Sequence, residues 1–160
     1  MARLTSEGKV KAYYLPVVAS KAAPTVAEIT AGTNLTPQLP TDGLDISPTN
    51  NNASQAMLDD AFVAEEPGTF SYGATATFTR DPDTVTTGAG DDVWTLITRD
   101  LRGFLLISRF GAPVAGNKVE VYPIACHAPA PLAPAENAYQ KFRVQFAVTA
   151  APELNATVAA

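Results

Sequence analysis

Two stretches of the chain alternate apolar and polar residues with a period of two. Thr69–Thr79 places Phe70, Tyr72, Ala74, Ala76 and Phe78 on one face, and Ser71, Gly73, Thr75, Thr77 and Thr79 on the other. Gln140–Thr149 sets Phe142, Val144, Phe146 and Val148 against Lys141, Arg143 and Gln145. Successive strand side chains point to opposite sides of a sheet, so this period predicts half-exposed antiparallel strands. Lys9–Val18, Phe104–Phe110 and Lys118–Cys126 are rich in Val, Ile, Tyr and Phe and predict three more. Gly111 and Ala115-Gly116-Asn117 suit a hairpin joining the last two.

Helix signals occur twice. Thr25–Ala31 has Thr25 as a cap and Glu28 three residues later, the pattern of a capping box. Asp91–Arg99 carries Asp91 and Asp92 at its positive end and Arg99 near its negative end. Val93, Trp94 and Ile97 share one face there, which predicts Trp94 as a core anchor holding this helix on the sheet. The expected fold is mainly β: a single domain over residues 1–160, an antiparallel sandwich or barrel with one short flanking α-helix. Residues 32–68 resist that pattern. They are polar, contain Pro37, Pro40, Pro48 and the Asn50-Asn51-Asn52 run, and offer only a weak strand at Leu44–Ile46. A long structureless loop is uncommon in a compact domain, so this one is expected to be disordered or to be ordered from outside the subunit. Ala128–Asn137, with Pro129, Pro131 and Pro134, predicts a shorter, stiffer loop before the last strand.

Composition narrows the function classes. With 160 residues, 46% hydrophobic and 17% charged, the chain can bury a real core. No apolar run approaches the roughly 20 residues of a membrane helix. Cys126 is alone and cannot make an intrachain disulfide, and with His127, the one histidine, it forms no zinc-ligand set. Arg3, Lys9 and Lys11 before Tyr13–Ala19 imitate a signal peptide, but the apolar stretch is short and broken by Pro16, so it reads as a buried strand. The sequons at Asn34, Asn52 and Asn155 then read as chance matches.

Net charge is −5 and unevenly spread. Residues 22–79 contain no Lys or Arg against seven acids: Glu28, Asp42, Asp45, Asp59, Asp60, Glu65 and Glu66. Such a chain lacks the basic footprint of a protein that grips phosphates. The simplest reading of the acids is a solvated surface. Catalytic signatures are missing too. There is no G-x-S-x-G elbow, Walker loop or G-x-G-x-x-G; Gly88-Ala89-Gly90 reads as a turn. Nothing ties a serine to His127, which reads as a strand end. Asp59-Asp60 and Glu65-Glu66 belong to no calcium-loop pattern and read as loop acids. No catalytic, cofactor or metal residue is expected.

The order of features carries a resemblance. After the first strand comes Ala27-Glu28-Ile29-Thr30-Ala31-Gly32-Thr33-Asn34-Leu35-Thr36, then the Pro-rich polar loop, Thr69–Arg80, the Asp91–Asp100 helix and Gly103–Arg109. Val119-Glu120-Val121-Tyr122-Pro123-Ile124 follows, and the chain closes with Lys141-Phe142-Arg143-Val144-Gln145-Phe146-Ala147-Val148-Thr149. Over nearly its whole length this resembles the major tail tube proteins of long-tailed, non-contractile bacteriophages.

The resemblance implies hexameric rings stacked into a hollow tube. Each subunit would lend about four strands to an inner barrel, with the helix outside. About 24 strands at a spacing of about 4.8 Å and a tilt of about 40° give a backbone barrel roughly 48 Å across. It implies bridging roles for the N-terminal arm (1–8) and the early loop (32–68) with Asp42, Asp45, Asp59, Asp60, Glu65 and Glu66, and a C-terminal tail at 150–160. Ser71, Thr75 and Thr77 would suit a smooth bore; Lys141 and Arg143 would join them there or pair with acids of an adjacent subunit. Six copies at −5 each give a ring of formal charge −30, which would let DNA slide. The implied partners are other copies, a tape-measure protein, a tail terminator, distal tail or baseplate proteins and passing DNA. The implied place is the virion tail, assembled in the host cytoplasm, with no membrane insertion, cofactor or enzymatic activity. Two other readings stay open: another virion β protein, such as a tail terminator or capsid decoration protein, and a β-sandwich ligand-binding module.

Overall fold

Why the two alternating segments form neighbouring strands is plain from their partners. In the structure, a computed structural model describing residues 8–58, 61–80 and 92–160, Ala76 stands opposite Val144 and Phe78 opposite Phe142. Each such pair buries apolar surface on the same side of the sheet. The described residues form nine strands: β1 (Lys11–Leu15), β2 (Thr33–Asn34), β3 (Leu44–Ser54), β4 (Glu65–Thr79), β5 (Arg102–Ser108), β6 (Lys118–Cys126), β7 (Ala130–Pro131), β8 (Lys141–Val148) and β9 (Glu153–Thr157). All belong to one antiparallel sheet in the order β2-β1-β5-β6-β8-β4-β3, with β7 beside β8 and β9 beside β6.

Strand β6 turns this sheet into a sandwich. Its first half pairs with β9 and its last three residues, Ile124–Cys126, pair with β8. The sheet curls over at that change of partner. Tyr14, Leu105, Ile107, Tyr122 and Ile124 from one half then share a buried cluster with Ala74, Ala76, Phe78, Phe142, Val144 and Phe146 from the other. The hydrophobic effect on side chains of this size, about 1.5–3 kcal/mol each, drives that closure. A second cluster lies on the opposite face of β1, β5 and β6. There Leu15, Leu106, Val119 and Val121 are covered by Ile29 and by Ala156 and Val158.

Ile29 belongs to α1 (Val26–Ala31), and the capping box expected at Thr25 is present. The Glu28 N–H donates to Thr25 Oγ1 at 3.2 Å, and the Thr25 N–H donates back to Glu28 Oε2 at 2.8 Å. The Ala19 N–H also donates to Glu28 Oε1, at 2.7 Å. These bonds, from Thr25 first and then Ala19, hold the Glu28 carboxyl below its ordinary pKa. A depressed folded pKa contributes stability above the unfolded value, and that contribution is lost as pH falls through the folded one. Glu28→Gln is therefore expected to unfold at lower urea than the native chain at neutral pH, and the gap should close in acid. Thr25→Ala should cost about 1 kcal/mol in the same urea melts.

The structure departs from the sequence reading in four places. The early loop is mostly strand: β3 and the first residues of β4 pair as a long hairpin from Leu44↔Ala76 to Ser54↔Glu65. Its signal was hidden because residues 47–54 and 65–71 are exposed on both faces, so no apolar alternation is required of them. Pro48 is tolerated because β3 is the edge of the sheet. The helix expected over 91–99 is the five-residue α2 (Asp92–Leu96). Residues 150–160, expected as a tail, contain β9 and the fully buried Ala156 and Val158. The first predicted strand is shorter, ending at Leu15 before Pro16. Residues 1–7 of the N-terminal arm, the Gly88-Ala89-Gly90 turn and Asp91 lie outside the described residues.

Candidate functional site

Two surfaces stand out: a flat polar wall and a projecting arm. The wall is the outer face of β3, β4 and β8. Because Ala74, Ala76, Phe78, Phe142 and Val144 point into the core, their sequence neighbours point out. Register lines them up in rows. Asp45, Thr75 and Gln145 form one; Thr77 and Arg143 another; Thr79 and Lys141 a third. Ser47, Gly73 and Ala147 continue to Ala125 of β6 and Arg102 of β5. Ser71 lies on the same face farther along β4, opposite Thr49. The structure thus brings Ser71, Thr75, Thr77, Lys141 and Arg143 onto one surface of hydroxyl and small side chains. Asp45, assigned by sequence to a loop, is part of it. Lys141, Arg143 and Asp45 form no ion pair with any described residue.

The arm is the distal hairpin. Pairing of β4 with β8 ends at Gly73↔Ala147, and beyond it, among the described residues, β3 and β4 pair only with each other. From Gly73 to Glu65 the arm spans about 27 Å at 3.4 Å per residue. A register shift between Asn50 and Asn52 marks a bulge. Gly68 is required there: a Cβ would lie 2.6 Å from the Asn51 carbonyl oxygen. Asn52 Nδ2 donates across the strands to Glu65 Oε2 at 2.7 Å. At the tip, Met57, Leu58, Phe62 and Val63 are exposed, Phe62 at 81%.

The arm's base is tied to the body by an aromatic chain. Phe70 meets Tyr72 edge-on at 6.2 Å, and Tyr72 meets Tyr122 at 6.0 Å. The Tyr122 hydroxyl donates to Glu120 Oε2 at 3.0 Å, and Glu120 is gripped by Arg109 through both oxygens at 2.5 and 3.0 Å. Burial, then the Glu120 charge, pushes the Tyr122 phenol far above its usual pKa, so it stays a donor. The Glu120 bond also raises the Arg109 pKa, keeping that guanidinium charged. Sequence reading missed this network; Glu120, Tyr122 and Arg109 are i, i+2 and cross-strand neighbours visible only once the β5–β6 register is known.

The six acids grouped by sequence are dispersed. Asp42 sits in the turn before β3, Asp45 on the wall, and Glu65 and Glu66 near the arm's tip. Asp59 and Asp60 lie outside the described residues. Trp94 packs edge-on against Phe142 at 4.9 Å and carries Arg80 over its ring at 4.4 Å. It stays partly exposed; Val93 and Ile97 are the fully buried residues around α2. His127 follows β6 and is exposed. The buried Cys126 thiol is pushed up to about 11 by desolvation, the opposite of an activated nucleophile. Among the described residues no group of three His, Cys, Asp or Glu could hold a metal, and no helix is long and apolar enough to cross a membrane.

A family model described as "Phage tail tube protein" matches residues 1–160. No curated protein matches the chain by sequence. Among solved structures, a chain from the tail of an empty gene transfer agent particle, refined helically with C6 symmetry, is similar with a TM-score of 0.57 at 10% identity, over 97% of this chain and 100% of that one. A chain from the virion of a native gene transfer agent particle is similar with a TM-score of 0.50 at 12% identity, over 79% of this chain and 91% of that one.

Proposed function

The chain belongs to the phage tail tube protein family, and from that premise we propose that six copies close into a ring and that rings stack head to tail as the wall of the tail tube. The observation that carries this reading is the arm: a hairpin exposed on both faces, with apolar residues at its tip, has no role in a solitary domain. The outer edge of β3, unpaired among the described residues, supports ring closure, since an open edge is a hazard that pairing with an identical neighbour removes. The C6 symmetry of the similar gene transfer agent tail supports six copies.

In this arrangement the wall of Ser71, Thr75, Thr77, Lys141 and Arg143 faces the bore. Its Ser and Thr rows carry no charge, and its cations are Lys141 and Arg143 at one end with Arg102 at the far side. Residues 1–8 and the arm with Glu65 and Glu66 reach neighbouring copies; Asp59 and Asp60 belong to the same segment by sequence. The further partners are a tape-measure protein in the bore and terminator and baseplate proteins at the ends. The protein acts as structure in the virion tail after assembly in the host cytoplasm, without enzymatic activity or cofactor. Negative-stain microscopy of the concentrated, purified protein is expected to show hollow tubes of repeating rings. Single rings that never lengthen would instead favour a terminator, and monomers at every concentration would overturn the proposal.

A further inference from the structure

The arm leaves the body at a point where the backbone alone does not fix its direction. Beyond Gly73 it is a two-stranded hairpin with no third strand among the described residues, and such a hairpin is barely stable by itself. Gly73 offers no side chain to brace the exit, although a Cβ there would have room, with the Ser47 carbonyl oxygen 3.9 Å away. Beside the exit lies a groove of about 220 Å³, lined by Phe70, Ser71, Tyr72, Val148, Ala151 and Pro152, that gives the arm space to swing. Leverage makes the angle matter: over the roughly 27 Å from Gly73 to Glu65, a swing of about 10° moves the far end by about 5 Å. The contacts of Tyr72 oppose that swing. Its ring lies edge-on between Phe70 of the arm at 6.2 Å and Tyr122 of the core at 6.0 Å. Tyr122 is itself held from behind, since its hydroxyl donates to Glu120 Oε2 at 3.0 Å and Arg109 grips Glu120. Tyr122 and Glu120 stand on β6 and Arg109 directly after β5, in the half of the sandwich that does not carry the arm.

We propose that Tyr72 and Tyr122 form a strut that presets the angle of the arm on the single subunit, with Glu120 as a positioning residue that keeps the Tyr122 ring in place. An edge-on aromatic pair is directional, because the ring edge of one meets the π face of the other, so the contact resists rotation as well as separation. Glu120 suits its task. One carboxylate takes a forked guanidinium and a phenol together, and the planar Arg–carboxylate pair fixes the orientation in which the phenol is met. An arm held at one angle gives up less freedom on meeting any partner than an arm that swings. The strut is a property of the subunit before it meets another copy, and so goes beyond ring and tube formation.

Pulsed electron spin resonance tests it, with nitroxides on Ala53→Cys in the arm and Gln145→Cys in the wall of the unassembled protein at low concentration. Both positions are exposed and lie on strands, while Cys126 is buried away from the label. The doubly labelled parent is expected to give one narrow distance. Tyr72→Ala should widen the distribution at least twofold, whereas Tyr72→Phe, which keeps the ring, should leave it as it was. Glu120→Ala should widen it as well, although it changes neither the arm nor the Tyr72 ring. A side chain that only contributed stability would lower the melting temperature without moving the distance. Circular dichroism melts check that each variant is folded when it is labelled. A parent distribution as broad as that of Tyr72→Ala, an unchanged width in folded Tyr72→Ala or Glu120→Ala, or a widened one in Tyr72→Phe would overturn the strut. None of these results touches the tube reading, whose own test is whether the native chain forms tubes.

Discussion

Phe142→Ala is expected to lower the stability of the subunit by about 3–5 kcal/mol, a large share of the roughly 5–15 kcal/mol that a folded domain has. The side chain is fully buried, stacks against Phe78 at 5.4 Å, and receives the edge of Trp94 at 4.9 Å. It therefore joins the β4–β8 layer to the segment around α2, and truncating it opens a cavity with walls from both. The β4–β8 wall is strand backbone pinned by ladder hydrogen bonds, so it cannot collapse into the space. Urea unfolding should show a midpoint well below the native one with an unchanged slope, because a lost contact alters stability without altering the surface exposed on unfolding. Phe62→Ser is the control. At the exposed tip of the arm it should leave the midpoint of the monomer where it was. Equal midpoints for the native chain and Phe142→Ala would mean that the two layers are not held together at this ring.

The contrast between these two phenylalanines explains how much could be read before the structure. Residues that pack on a body have to alternate, and the alternation of Phe142, Val144 and Phe146 located β8 to within a residue at either end. The capping box at Thr25 and Glu28 was legible for a similar reason: it is local chemistry with fixed spacing. Strand β3 was illegible beyond Ile46 because its partner is another exposed strand, so Thr49, Asn50 and Asn52 satisfy the backbone ladder without any apolar signature. The C-terminal strand was missed for the opposite cause. Ala156 and Val158 are small and few, and only their burial against Val119 and Val121 shows that the chain returns to the body. The wall was half visible: period two placed Thr75, Thr77 and Arg143 on polar faces, but joining those faces needed the β4–β8 register. Surfaces that act between copies are the least legible, since their chemistry is completed by residues of another molecule.

Shortening the arm should separate folding from assembly. The register supplies the cut: Asn50 faces Phe70, so replacing residues 51–69 by Asn-Gly leaves a two-residue hairpin turn on an intact pair. Everything removed is exposed or, at residues 59 and 60, outside the described structure, while Leu44, Ile46 and Tyr72 keep their packing against the core. The variant is expected to melt within a few degrees of the native monomer and to form no long tubes at concentrations where the native chain does. A wider deletion of Asp42–Glu66 would not make the same test, because it strips Leu44 and Ile46 from the core and confounds assembly with folding. The physical basis is that an interface has to gain enough burial to offset the freedom lost on association, and the arm carries the exposed apolar side chains Met57, Leu58, Phe62 and Val63. If the shortened chain still built tubes of native length, the arm would be dispensable and stacking would have to rest on the body alone. If it failed to fold, the bulge around Gly68 would be contributing to the monomer, contrary to the exposure of every residue around it.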